Sequence, residues 1–303
     1  MTLFVLLGPT AVGKTELALQ IAEYLSCPVI NCDSRQLYKG MKIGTAMPTW
    51  EEQSRITHYF VGTLRLDEYY SAARYEEDAI NLIQTLSATH NNLLLSGGSM
   101  MYIDAVCKGI DDIPTIPAAI RTTLRKRYED EGLEPLLEEL RQKDPDYYSI
   151  VDRKNTQRVI HALEICHTSQ RTYTSFRSNT QKERPFRIIK IGLQRKREEL
   201  FDRINRRVDN MMEEGLLEEA RQLYPYRKEN ALNTVGYKEL FKYLDGEWPL
   251  QTAVDRIKKN TRVYAKKQMT WFQRDADIHW FHSDERTEIM RFIRQSMDTP
   301  TNS

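Results

Sequence analysis

The segment GPTAVGKT at residues 8–15 constrains the fold more than any other stretch of this chain. Its spacing (Gly8, four residues, then Gly13, Lys14 and Thr15) is the P-loop pattern, in which successive backbone N–H groups surround a phosphate at a helix N-terminus. The pattern carries weight only between a buried strand and a helix. Here the apolar run LFVLL leads in, and Leu17, Ile21 and Leu25 recur at helical spacing in the run that leads out. Gly8, Pro9, Thr10, Ala11, Val12, Gly13, Lys14 and Thr15 are therefore the expected phosphate-binding residues. Lys14 would neutralise charge, and the Thr15 hydroxyl would be offered to Mg²⁺. A phosphate loop does not by itself name a reaction.

The remaining strand and helix signals predict the fold class. TLFVLL, PVIN, HYFVG and NLLLS alternate with helical stretches, one ending at Leu25 and one at about 71–87. Short apolar strands separated by helices imply a parallel sheet buried on both faces. After Gly97 and Gly98 a short helix, SMMYIDAVC, ends near Lys108, and Pro114 and Pro117 mark a break. Charged helices follow at about 121–131, 133–143 and 155–166, and the next strand signal is FRIIKIGL at 186–193. Long helices and a last strand, DIHWFH, complete the chain. The expectation is an α/β fold: a P-loop NTPase-like parallel sheet flanked by helices, with a core at 1–113 and 186–303. A mostly helical insertion would occupy 114–185, and its later helix is free to pack on the core.

Composition excludes several classes. No apolar run approaches the roughly 18 residues of a membrane span, and the N-terminus enters a strand directly, so no membrane partner and a cytoplasmic location are expected. Four scattered cysteines without a CxxC pair argue against a zinc site or a disulfide framework. Net charge is only +1, but it is unevenly placed: residues 1–112 hold 8 basic and 13 acidic side chains, and residues 153–208 hold 15 and 5. That stretch is either an electrostatic footprint for a polyanion or a set of solvated helix faces.

A second signal lies at the end of PVINCD. In an open parallel sheet the ligand crevice lies beyond the carboxyl ends of the strands, which places Asp33 beside the P-loop. Asp33 could bind Mg²⁺ or accept a proton from an attacking group. A small-molecule kinase is one reading. Kinases usually carry a further acid at another strand end, whereas NNLLLS runs into SGGS without a carboxylate.

Six segments in order, GPTAVGKT, NCDSRQLYKGMKIGTAMP, SGGSMMY, NTQRVIHALEI, NTVGYKEL and TRVYAKKQMTWFQR, resemble the signatures of the bacterial tRNA dimethylallyltransferase family, over about residues 3–282. The resemblance implies transfer of a dimethylallyl group from dimethylallyl diphosphate to N6 of adenosine 37, next to the anticodon of tRNAs reading codons that begin with U. It implies that the P-loop with Mg²⁺ holds the diphosphate, that Lys14, Thr15 and Arg262 assist its departure, and that Asp33 takes the N6 proton. By the same resemblance, Asp33, Ser34, Arg35, Gln36, Ser99, Arg121, Gln157, Arg158, Val159, Ile160 and His161 would contact the tRNA anticodon stem-loop. Ser99 stands where the family usually has threonine, and His161 where it commonly has arginine. The insertion and the basic stretch would clamp the stem-loop, with the protein acting as a monomer. Transfer to free AMP remains the alternative within the superfamily, a P-loop kinase and a catalytically silent RNA-binding module the alternatives outside it.

Overall fold

A computed structural model describes residues 1–177 and 181–298. In chain order the elements are β1 (Thr2–Leu7), α1 (Lys14–Leu25), β2 (Val29–Cys32), α2 (Trp50–Arg55), β3 (His58–Tyr59), α3 (Ala72–Ser87), β4 (Asn92–Gly97) and α4 (Met100–Lys108). They continue with α5 (Ala118–Glu131), α6 (Glu134–Lys143), α7 (Pro145–Ile150), α8 (Thr156–Ser169), β5 (Arg187–Gln194), α9 (Arg197–Glu213) and α10 (Leu216–Leu223). The last are α11 (Tyr237–Leu244), α12 (Leu250–Phe272), β6 (Ile278–His282) and α13 (Arg286–Asp298).

The sheet is wholly parallel, with strand order β3-β2-β4-β1-β5-β6. Residues 3–7 of β1 are buried without alternation because helices cover both faces, as the continuous apolar runs require. Register brings the carboxyl ends level: Leu7 pairs with Gly97, Cys32 with Gly97, and Gln194 with His282. Whatever follows each of those residues is delivered to one edge.

The chain divides into two compact units. One comprises 1–107 and 184–303, and the other is Lys108–Glu183. The insertion thus begins six residues before the predicted 114 and ends two before the predicted 185, and residues 178–180 of its predicted span lie outside the described residues. In the helical unit Leu124, Leu136, Leu140, Val159 and Leu163 form a separate apolar cluster. Helix α8 joins that cluster rather than the sheet core. Asp144, fully buried, holds the unit's far loop: it accepts from Tyr147 N–H at 3.0 Å, Thr174 N–H at 2.8 Å and the Thr174 hydroxyl at 2.8 Å.

Some local features differ from expectation. The HYFVG strand is only two residues long, because Phe60 adopts φ 62°, a left-handed turn that ends pairing. Helix α2 rests on a capping box between Thr49 and Glu52, a signal present in TWEE. Helix α13 completes the fold after β6. Among the described residues no helix is long and apolar enough to cross a membrane.

Gly97 sets the closest approach in the sheet, since a Cβ there would lie 2.1 Å from the Cys32 carbonyl oxygen. Gly97→Ala should therefore lower unfolding stability by about 3 kcal/mol or more, the upper range for overpacking. Denaturant titration measures it, and a loss within error of zero would contradict this packing.

Candidate active site

The loop after β1 is held from outside by cations. Gly8 has φ 151°, and a Cβ on it would lie 2.8 Å from the Leu193 carbonyl oxygen of β5, so no larger residue fits. The Lys14 ammonium folds back to donate to Gly8 O at 2.9 Å and Pro9 O at 2.8 Å. Arg203 Nε donates to Ala11 O at 2.8 Å and Arg195 Nε to Val12 O at 3.0 Å. Gln268, buried on α12, accepts from Thr10 N–H at 2.9 Å and donates to Gly98 O at 2.7 Å, which ties the P-loop to the loop after β4. Gly13 caps α1 in a left-handed conformation, and Thr15 lies exposed in the first turn. Val12 is buried beneath the loop and packs into the core.

A cavity of about 1020 Å³ opens at this edge. Thr10, Ala11, Gly13, Lys14 and Thr15 line one side, with Asp33, Ser34, Arg35 and Gln36 beyond β2. Arg195, Arg203, Arg206 and Arg207 line it from the end of β5 and from α9, and Thr261, Tyr264 and Gln268 line it from one face of α12. Positive charge is crowded there. Burial lowers the Lys14 pKa to about 8, with Arg207 adding to the effect and Asp33 opposing it. Burial also lowers the proton affinity of Arg207, and burial together with neighbouring Arg195 lowers that of Arg203. Cations so placed favour a multiply charged anion.

Asp33 accepts the Arg35 N–H through Oδ1 at 2.9 Å, and Oδ2 has no hydrogen bond among the described residues. Ser99 is buried; its hydroxyl accepts from Ser34 N–H at 2.8 Å and donates to Ser34 Oγ at 3.1 Å, fixing the turn that presents Asp33. Arg35 and Gln36 line the cavity, but their polar groups are also tied to the protein. Arg35 donates to Asn230 O at 2.8 Å, and Gln36 Nε2 donates to Ala46 O at 2.9 Å.

Other predicted positions lie elsewhere. Arg262 points to Asn205 and sits 5.9 Å from the Phe201 ring, and it does not line the cavity. On α12 it follows Thr261 by one residue, about 100° round the helix from the face that carries Thr261, Tyr264 and Gln268. In the helical unit, Gln157 and Arg158 are exposed on α8, whereas Val159 and Ile160 are buried in the apolar cluster, so their side chains are engaged in packing rather than offered as contacts. His161 is 3.5 Å from Glu164 and meets the Tyr173 ring edge-on, and Arg121 lies 3.5 Å from the same buried Glu164. The basic stretch at 153–208 is therefore split, its last arginines serving the phosphate loop. Gln268 was missed although it lies in a quoted segment; a polar residue on the buried stripe of a helix was the available signal.

Comparison with known proteins agrees with this architecture. A family model described as IPP transferase matches residues 36–275. The chain is 64% identical over 292 residues to tRNA dimethylallyltransferase 1 of Phocaeicola vulgatus, covering 96% of this chain and 97% of that protein. It is similar to the structure of the full-length tRNA isopentenylpyrophosphate transferase of Bacillus halodurans, with 35% identity, a TM-score of 0.71, and coverage of 98% and 97%. It is also similar to a eukaryotic dimethylallyltransferase acting on tRNA, with 25% identity, a TM-score of 0.82, and coverage of 100% and 81%.

Lys14 should leave a pH signature. Its folded pKa of about 8 lies below the ordinary 10.5, so between these values the unfolded chain binds more protons than the fold. Stability from this group then rises with pH across that window, and the penalty for the buried ammonium is fully present below it. Relative to Lys14→Met, the ligand-free wild type should gain stability from pH 8 to 10.5 in denaturant titrations. Parallel profiles for the two proteins would exclude it.

Proposed function

The chain belongs to the IPP transferase family, and from that premise we propose that it transfers the dimethylallyl group of dimethylallyl diphosphate to N6 of adenosine 37, beside the anticodon of tRNAs reading codons that begin with U, and releases diphosphate. The observation that carries this reading is one cavity in which a P-loop, six arginines and the Asp33 carboxylate meet. In this reading the loop amides, Lys14, Arg203 and Arg207 grip the diphosphate. Negative charge on the leaving oxygen grows as its bond to the allylic carbon breaks, and fixed cations stabilise that charge most where it develops.

The acceptor amine is a weak nucleophile because its lone pair is delocalised into the purine ring. As N6 bonds to the allylic carbon, the C–O electron pair leaves on diphosphate and one N6 proton passes to Asp33. The Asp33 oxygen without a hydrogen bond is the acceptor, and the Ser34–Ser99 contacts keep it in place. Mg²⁺ would neutralise further charge on the phosphates. The donor set fits it: the exposed Thr15 hydroxyl is one protein oxygen of the kind that Mg²⁺ would complete with substrate phosphates and water.

An anticodon loop is where an RNA base leaves its stack cheaply, which suits an acceptor site inside a cavity. The exposed Gln157 and Arg158 contact the stem-loop backbone, and the helical unit clamps it. Arg121, with its side chain only 15% exposed beside Glu164, supports that surface from within. The working unit is a monomer in the cytoplasm.

Asp33→Ala should lower turnover roughly 10²-fold or more, the scale of a lost general base, with tRNA affinity little changed. Single-turnover transfer of labelled prenyl donor reads this, and the same assay run with AMP in place of tRNA tests the acceptor. Prenylated AMP with untouched tRNA, or ATP consumed with a phosphorylated metabolite as product, would overturn the reading. Arg158→Glu should weaken tRNA binding and reduce the slope of log K against log salt by about one. Binding and slope both unaltered would remove α8 from the tRNA surface.

A further inference from the structure

Ser283 follows β6 directly, and its hydroxyl is the one buried side-chain polar atom among the described residues without a hydrogen-bond partner. The residue is 5% exposed and lines the cavity. A buried hydroxyl in that state is destabilising unless something else occupies the site. Its surroundings indicate what that is. A Cβ built on Gly13 would lie 3.9 Å from Ser283 Oγ and 3.9 Å from Arg203 Nη2, so serine, guanidinium and loop glycine bound one small volume. Arg203 uses Nε on Ala11 O, and its Nη atoms make no hydrogen bond among the described residues.

The serine is also held in position. Its N–H donates to Gln194 O at 3.3 Å, and the next residue, Asp284, pairs with Arg195, which itself donates to Val12 O. The segment after the edge strand is thus tied to the end of β5 and, through Arg195, to the P-loop. We propose that Ser283 is a further ligand of the donor's diphosphate, its Oγ–H donating to a phosphate oxygen that also receives Arg203 Nη2. The inference rests on reading the cavity as a diphosphate site and adds a neutral donor, from the far edge of the sheet, to the cations already there.

The test is Ser283→Ala in the full chain, with calorimetric titration of inorganic pyrophosphate in Mg²⁺-containing buffer and thermal unfolding of the ligand-free protein. Pyrophosphate should bind about 10-fold more weakly, the scale of one hydrogen bond to a charged oxygen. The ligand-free Tm should be unchanged or higher, because the variant removes an unpartnered polar atom. An unchanged Kd would overturn the assignment, and so would a ligand-free Tm lowered by several degrees, which would give the hydroxyl a structural role. Wild-type protein that ignores pyrophosphate would instead sink the diphosphate reading itself.

Discussion

Four of the five loop positions from Gly8 to Val12, all but Thr10, have their carbonyl oxygens engaged by cationic side chains: Lys14 takes Gly8 and Pro9, Arg203 takes Ala11, and Arg195 takes Val12. Of the four peptides so held, the Pro9 nitrogen carries no hydrogen, Thr10 N–H donates to Gln268 and Val12 N–H to Pro9 O, which leaves Gly13 N–H for an anion. The shape of the loop is maintained by positive charge, and the same charges raise the potential in the cavity beside it. Burial makes this arrangement unfavourable when empty, as the lowered proton affinities of Lys14, Arg203 and Arg207 indicate. Part of the affinity for a polyanion comes from relieving that condition.

The sheet explains how so many groups converge. Five strands end at one edge, and each hands over a residue that matters: Gly8 after β1, Asp33 after β2, Gly98 and Ser99 after β4, Arg195 after β5 and Ser283 after β6. Parallel pairing makes this convergence automatic once register is set, and the near contact of Gly97 with Cys32 locks the register of β2 against β4. Helices α9 and α12 then close the other side, with Thr261, Tyr264 and Gln268 spaced to share a face.

The P-loop and Asp33 were legible because each is encoded locally, as a spacing or as the residue after a strand. Residues arriving from far along the chain were not. Gln268 reaches Thr10 across 258 positions, and Arg203 reaches Ala11 across 192. Nothing in a linear reading distinguishes Arg262 from its neighbours on α12, since the difference is which way one turn of helix faces. Charge density had a similar ambiguity: the basic run at 153–208 suited either a polyanion or solvated helix faces, and only folding divides it between the exposed first turn of α8 and the cavity beside the P-loop. Val159 and Ile160 sit in a quoted signature because the helix must pack, which a motif cannot separate from contact with a partner.

The two chain ends of the helical unit meet each other: Lys182 N–H donates to Lys108 O at 2.8 Å and the Lys182 ammonium meets Asp112 at 2.8 Å. A unit whose ends close on each other around an oil-like centre of its own has what independent folding requires. A change in its length or surface would then leave the packing of the parallel sheet untouched.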